Sequence, residues 1–215
     1  MSNLALFLLL QIIKRGVNLM RIETKVLNLP EGDFFASVSI FDHEDAKALF
    51  TIYDSWRLLC RLLNELNARS VNLPEGLSET AFCIAKNVWR CTSNIAGANS
   101  SYDCYDPNAS RGNNRIQIKA CSVLPDLTSF GPNSEWDRIY FVDFYRNGEW
   151  DGTFDIYEVE TEDINNFPVN ASQTLLDQKL QGRRPRFSIY KGLIQEGRYI
   201  SKETFKITPE GILEV

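Results

Sequence analysis

The sequence predicts an α/β fold in one domain, a central mixed sheet flanked by helices. Three observations carry that expectation. Apolar residues recur at three- and four-residue steps over residues 42–67, β-rich alternation with turn signals fills 101–160, and a last helical stretch follows at 169–184. With 215 residues, 44% of them hydrophobic, the chain can bury one sizeable core. The division expected is an extension over residues 1–19 and a single domain over 20–215. Within that domain the helical part covers 42–92, and the sheet and its loops cover 100–190.

The N-terminal apolar run from Leu4 to Ile13 is shorter than the ~20 residues a membrane span needs. No positive residue precedes it and no small-residue cleavage site follows, which disfavours a signal peptide. Met20 is a candidate start, which would make the segment a translated leader; a docked amphipathic helix is the alternative. Next, "DHEDAKALFTIYDSWRLLCRLLNELN" (42–67) places Leu49, Phe50, Tyr53, Trp56, Cys60, Leu63 and Leu66 on one helical stripe, with an acidic first turn that complements the helix dipole. "VNLPEGLS" breaks the chain, and Ser78 is the expected N-cap of a helix over "ETAFCIAKNVWR" (79–90), with Glu79 in its first turn.

"SYDCY" (101–105) and "RIQIKACSV" (115–123) read as a hairpin around the turn-rich loop "DPNASRGNN". On the return strand Ile116, Ile118 and Ala120 share one face, and Arg115, Gln117 and Lys119 share the other. Residues 136–160 contain two β-rich stretches around Asn147-Gly148. The stretch 169–184 looks helical until Gly182, and the tail holds one or two short strands. No repeat or low-complexity tract interrupts this order.

Composition excludes several chemistries. One histidine, His43, at the start of a helix, leaves Ser-His and Cys-His hydrolases without raw material. Neither a P-loop nor a G-x-G-x-x-G is present. Five cysteines at 60, 83, 91, 104 and 121, with no C-x-x-C, argue against structural zinc and a disulfide framework, and predict a reducing, cytoplasmic setting. A net charge of −5 does not advertise a nucleic-acid binder. A metal-dependent nuclease needs carboxylates as well as a basic groove, however, so the distribution of charge matters more than its sum.

Carboxylates and a lysine remain. Asp103 on the outgoing arm of the hairpin and Gln117-Ile118-Lys119 on the return suit phosphodiester hydrolysis. A carboxylate can hold Mg²⁺ while the ion keeps several waters. The bound ion lowers the pKa of a water and shields phosphate charge. A lysine can orient that water and stabilise charge on phosphorus. Gln117 brings an oxygen but no charge, so a second carboxylate should compensate, and Glu79 is the first candidate. The plainer reading of a first-turn glutamate is a dipole partner. Asp106 is the alternative to Asp103, although Asp-Pro-Asn is a strong turn starter. The second signal is "QKLQGRRPRFSIYK" (178–191), which holds five basic residues and no acidic one. Its Arg183, Arg184 and Arg186, set around Gly182 and Pro185, suit guanine edges or phosphates; a solvated basic loop is the bland alternative.

"DLTSFGPNSEWD", "QIKA", "DQKLQGRRPRFSI" and "GLSETAFC" together resemble type II restriction endonucleases of the Bsp-six-I type, over about Asn72 to Ile189. On that resemblance the helical region before residue 70 and the tail after 190 fall outside the match. The resemblance implies a PD-(D/E)xK nuclease core, Mg²⁺ dependence, and cleavage of double-stranded DNA at GCNGC with a one-base 5′ overhang. By motif position it implies Asp103 as metal-binding aspartate, Gln117 in the second acidic position with the Ile118 backbone carbonyl as a further ligand, and Lys119 as catalytic lysine; Glu79 lies in the helix before them. Sequence reading would fall to Arg183, Arg184, Arg186 and Gln181, and to "TSFGPNS" (128–134) through Ser129 and Asn133. A site read alike on both strands implies a homodimer. A cognate DNA methyltransferase would be a functional partner without required contact. Two other readings fit the residues: a DNA-binding protein that lost its metal through Gln117, and a repair or structure-specific nuclease without the GCNGC preference.

Overall fold

The computed structural model describes residues 20–91 and 93–215, so the apolar run, expected as a translated leader or a docked helix, lies outside the described residues. Nine strands make one sheet in the order β1 (Arg21–Leu29), β2 (Gly32–Ile40), β3 (Trp89–Cys91), β4 (Cys104–Tyr105), β5 (Arg115–Cys121), β7 (Arg138–Asp143), β8 (Thr153–Val159), β10 (Ser201–Thr208) and β11 (Gly211–Glu214). β5 and β7 run parallel and the other neighbours antiparallel, so the sheet is mixed, as predicted. Between β5 and β7 the chain makes β6 (Thr128–Ser129), which pairs apart from the sheet with β9 (Arg186–Phe187).

Among the described residues four α-helices flank the sheet: α1 (His43–Glu65), α2 (Glu75–Lys86), α3 (Thr161–Asn165) and α4 (Leu175–Leu180). A capping box starts α1: the Asp42 carboxylate accepts from the Glu44 and Asp45 amides, and Asp45 accepts from the Asp42 amide. Its buried stripe holds Leu49, Tyr53, Trp56 and Cys60 as expected, but Leu66 lies beyond the helix end and is exposed. α1 and α2 cover one sheet face, against Ile116, Ile118, Tyr140, Val142, Ile156 and Phe205. The alternate residues Ile139, Phe141, Tyr157 and Val159 face the other way, onto Ile164 of α3, Leu175 of α4, Phe130 and Phe187. Each such side chain contributes roughly 1.5–3 kcal/mol by leaving water.

Several expectations are corrected. α2 begins at Glu75 behind Pro74, so Ser78 is not its N-cap and Glu79 sits past the first turn, buried. Proline at the cap and the exposed Glu75 start the helix a turn early, which puts the "SE" pair on the packed side. Trp89 and Arg90, read as helix, form β3 after Asn87 ends α2 in the left-handed conformation at φ +51°. The outgoing arm of the hairpin is only Cys104–Tyr105 rather than 101–105. The stretch 169–184 is helical only from Leu175 to Leu180, where Thr174 and Asp177 form a capping box. Gly182, at φ +72°, closes α4: its amide donates to the Lys179 carbonyl and the Arg183 amide to the Gln178 carbonyl. The β1–β2 hairpin was not anticipated at all.

Candidate active site

β5 has seven residues and β4 has two. Cys104 pairs with Ile116 and Tyr105 with Arg115; one step further the Asp103 amide donates to the Ile116 carbonyl at 2.9 Å, and the chain then leaves the sheet. From Ile118 onward the β4 side of β5 lies open. The Asp103 side chain turns into that gap and accepts the orphaned Ile118 amide at 2.6 Å, and the Gln117 amide nitrogen donates to the same carboxylate oxygen. The Gln117 nitrogen also lies 3.4 Å from the Ile118 carbonyl. A pocket of about 230 Å³ occupies the gap, lined by Leu73, Glu75, Ser78 and Glu79 of the α2 region and by Asp103, Gln117, Ile118, Lys119 and Ala120. A larger cleft of about 640 Å³ beside α1, with Asp54, Arg57, Arg61 and Trp150 in its wall, holds none of the predicted site residues.

The structure therefore brings together Glu79, Asp103, Gln117, Ile118 and Lys119. Burial raises the Glu79 pKa to about 7, and the negative charge of Asp103 adds to that shift. Burial raises the Asp103 pKa to about 6, against the Ile118 amide and the Lys119 ammonium, which favour its charged form. Burial lowers the pKa of Lys119, and the Asp103 carboxylate opposes that shift. The pocket thus concentrates anionic groups that are costly to ionise as they stand. Arg90 on β3 contacts the Glu79 carboxylate from behind. Nothing in the spacing of "NVWR" points to it, because Arg90 meets Glu79 only once Asn87 ends α2 and the chain continues as β3 beside that helix.

A divalent cation fits this donor set. The Glu79 and Asp103 carboxylates, the Gln117 amide and the Ile118 carbonyl offer hard oxygen donors, and a neighbouring cation would favour both carboxylates in their charged form. Among the described residues no three His, Cys, Asp or Glu side chains converge as a metal cluster. The set suits an ion that retains waters, as Mg²⁺ does. Asp106 does not share this pocket. It accepts from Arg138 at 2.6 Å and from the Asn108 amide at 2.9 Å, the behaviour of a turn starter.

The two basic and polar loops come together through β6 and β9. Ser129 stands opposite Arg186 in the ladder, Thr128 opposite Phe187, and the Phe130 amide donates to the Pro185 carbonyl at 3.1 Å. Phe130 and Phe187 stack beneath, 5.6 Å between ring centres. Gln181, Arg183, Arg184 and Arg186 are exposed, and none of the three arginines forms an ion pair among the described residues. The Arg184 guanidinium lies over Gly131, and its charge is felt at Lys119. Asn133 is exposed on the same loop, while the Ser129 hydroxyl is buried without a hydrogen-bond partner. Lys179, which the sequence did not single out, donates to the Ser134 carbonyl at 2.9 Å and lies 4.6 Å over the Trp136 ring. A row of cationic groups thus runs from the pocket along the paired loops.

A family model described as Bsp6I restriction endonuclease matches residues 41–196, which takes in α1 and so reaches further than the 72–189 expected from the motifs. The type II restriction enzyme Bsp6I of Bacillus sp. (strain RFL6) is 34% identical over 165 residues, covering 75% of this chain and 86% of that protein. No solved structure matches the chain.

Proposed function

This chain belongs to the Bsp6I restriction endonuclease family, and on that premise we propose that it hydrolyses double-stranded DNA at GCNGC with Mg²⁺, leaving a one-base 5′ overhang. We assign the pocket and its strands to a PD-(D/E)xK core in which Gln117 replaces the second acidic residue. The observation that carries the proposal is the convergence of Asp103 and Lys119, from opposite arms of one hairpin, on a pocket that also receives Glu79.

Asp103 and Glu79 would hold the ion, assisted by the Ile118 carbonyl and the Gln117 amide. The ion, when bound, supplies charge neutralisation at the phosphate and a water of lowered pKa. Gln117 fixes the Asp103 carboxylate through its amide nitrogen, and the Ile118 amide holds the same oxygen. Lys119 presents its ammonium to the attacking water and to the charge that develops on the phosphate oxygens.

Arg183, Arg184, Arg186 and Gln181 would meet the duplex together with Asn133, while Ser129, its hydroxyl buried as the structure stands, would support Arg186 from the opposite strand of the ladder. Arginine's planar fork suits both the O6 and N7 of guanine and phosphate oxygens. A homodimer, each subunit reading one GC half and cutting one strand, satisfies the twofold relation of the site and leaves the central base pair without contact. A methyltransferase of the same specificity would protect host DNA without touching this protein. No helix among the described residues is long and apolar enough to cross a membrane; a cytoplasmic setting accords with the five free thiols.

Sequencing the ends of plasmid fragments cut by the purified protein with Mg²⁺ tests the proposal. Ends confined to GCNGC with a one-base 5′ stagger are expected. Ends scattered over branched or mismatched DNA, or a different sequence at the cuts, would overturn it.

A further inference from the structure

We infer that Asp126 is the positioning residue that sets the register between the two recognition segments, and through it the sequence discrimination of the enzyme. The inference rests on the proposed assignment of those segments to DNA. Asp126 lies between the end of β5 and the start of β6, in a stretch whose sequence, "LPDLTS", suggests only a turn. Its carboxylate is nonetheless buried and serves four donors. Three of them come from the far segment: the Ser188 hydroxyl, the Ile189 amide at 2.9 Å and the Tyr190 amide at 3.4 Å. The fourth, the Thr128 hydroxyl at 3.3 Å, is on β6 itself.

The need for such a tether follows from the size of the ladder. β6 and β9 pair over two residues each, and a short two-stranded ribbon holds its register weakly. Slipping by one residue would turn Arg186 to the face now occupied by Phe187 and bring Pro185 opposite Ser129. The stacked Phe130 and Phe187 rings resist separation of the strands, but apolar contact is non-directional and fixes register poorly. Hydrogen bonds to Asp126 are directional. They tie the chain just after β9 to the chain just before β6, while Lys179 ties the far end of the loop through the Ser134 carbonyl. Because Asp126 also follows β5 by only five residues, it joins the frame of the arginines to the strand that carries Gln117 and Lys119.

The test uses the full-length protein, Mg²⁺ and a pool of duplexes with a randomised five-base-pair window, read by sequencing the cut ends. Asp126→Ala is expected to lower the ratio of cutting at the best site to cutting at sites with one altered base pair by about tenfold, the scale of one base contact. Asp126→Asn, which keeps an acceptor for the Ile189 and Tyr190 amides, should recover most of that ratio. Should Asp126→Ala fail to yield folded protein, Thr128→Val combined with Ser188→Ala removes two of the four donors and should lower the ratio in the same direction. An unchanged ratio, or an equal loss of rate at every site, overturns the inference. Arg184→Ala and Arg186→Ala run beside them: if these leave both DNA binding in Ca²⁺ and the ratio untouched, the recognition assignment itself has failed.

Discussion

The Asp103 carboxylate accepts the Ile118 amide at 2.6 Å, standing in for the strand residue that β4 does not provide. One side chain thereby completes the backbone of β5 and offers its remaining oxygen to the pocket. Asp103→Asn keeps an acceptor for Ile118 but removes the charge. Loss of about 10–100-fold in metal affinity is expected, with cleavage falling at least as far and DNA binding in Ca²⁺ retained. Titration with Mn²⁺ followed by its paramagnetic signal, beside a cleavage assay, measures both. Normal cutting by this variant would remove Asp103 from the site.

Lys119 should behave differently from the carboxylates. Lys119→Ala is expected to abolish cleavage, a fall of about 10²-fold or more, while the Mn²⁺ affinity stays near that of the parent. A parallel collapse of metal binding would mean that the ammonium supports the site rather than the reaction.

Gln117→Glu restores the acidic residue that the resemblance leads one to expect. Without metal, a new carboxylate beside Asp103 replaces a hydrogen bond with repulsion, so the melting temperature should drop. With Mg²⁺ the same change should give a larger thermal gain than in the parent. Calorimetry with and without the ion reads the two opposite signs directly.

The raised pKa values give the metal-free protein a specific pH dependence. Glu79, at about 7 in the fold, holds a proton that it gives up near the ordinary carboxylate range in the unfolded chain, and Asp103, at about 6, does the same. The folded state therefore binds more protons between about pH 4 and 7, and stability falls as pH rises through that window. Glu79→Gln should flatten the fall, by an amount on the order of 1–3 kcal/mol. On the proposed roles cutting should follow the opposite trend, since an ion held by both carboxylates needs them ionised. Activity should decline below about pH 7, and that limb should move to lower pH as Mg²⁺ is raised. Thermal melts and initial rates across pH 5–9 check both limbs.

The arginines separate by salt. Replacing one that contacts a phosphate should reduce the log–log salt slope of DNA binding by about one and weaken all sequences alike. Replacing one that reads a base should relax discrimination by about 1–3 kcal/mol and leave the slope nearly intact. Filter binding of matched and altered duplexes at several salt concentrations sorts Arg183, Arg184 and Arg186 into the two groups.

Much of the site was legible because its residues are close in sequence or lie on a readable hairpin. Asp103, Gln117 and Lys119 needed only β4 to return beside β5. Glu79 was proposed to compensate for Gln117 while placed in a first turn; its helix starts at Glu75, which removes the dipole-partner alternative and leaves it buried at the pocket. Arg90 and Asp126 stayed hidden because each acts across a contact that no local pattern encodes, β3 beside α2 and the chain after β5 with the chain after β9. The β1–β2 hairpin carries only a broken alternation on either side of "LPEG", with Ile22, Val26 and Phe35 exposed and Leu27, Leu29, Ala36 and Val38 buried, a weak pattern beside the long amphipathic helix that follows it. α4 was shorter than its pattern because Thr174 and Gly182 cap it tightly at both ends.

A two-residue β4 beside a seven-residue β5 has a consequence for how such an enzyme can be silenced. The notch proposed as its active site is an unfinished stretch of ladder, so an extended peptide able to lie along Ile118 to Cys121 would take up the backbone atoms that the proposal leaves open to the ion. An inhibitor of this protein would need no resemblance to nucleic acid; it would only have to be the missing strand.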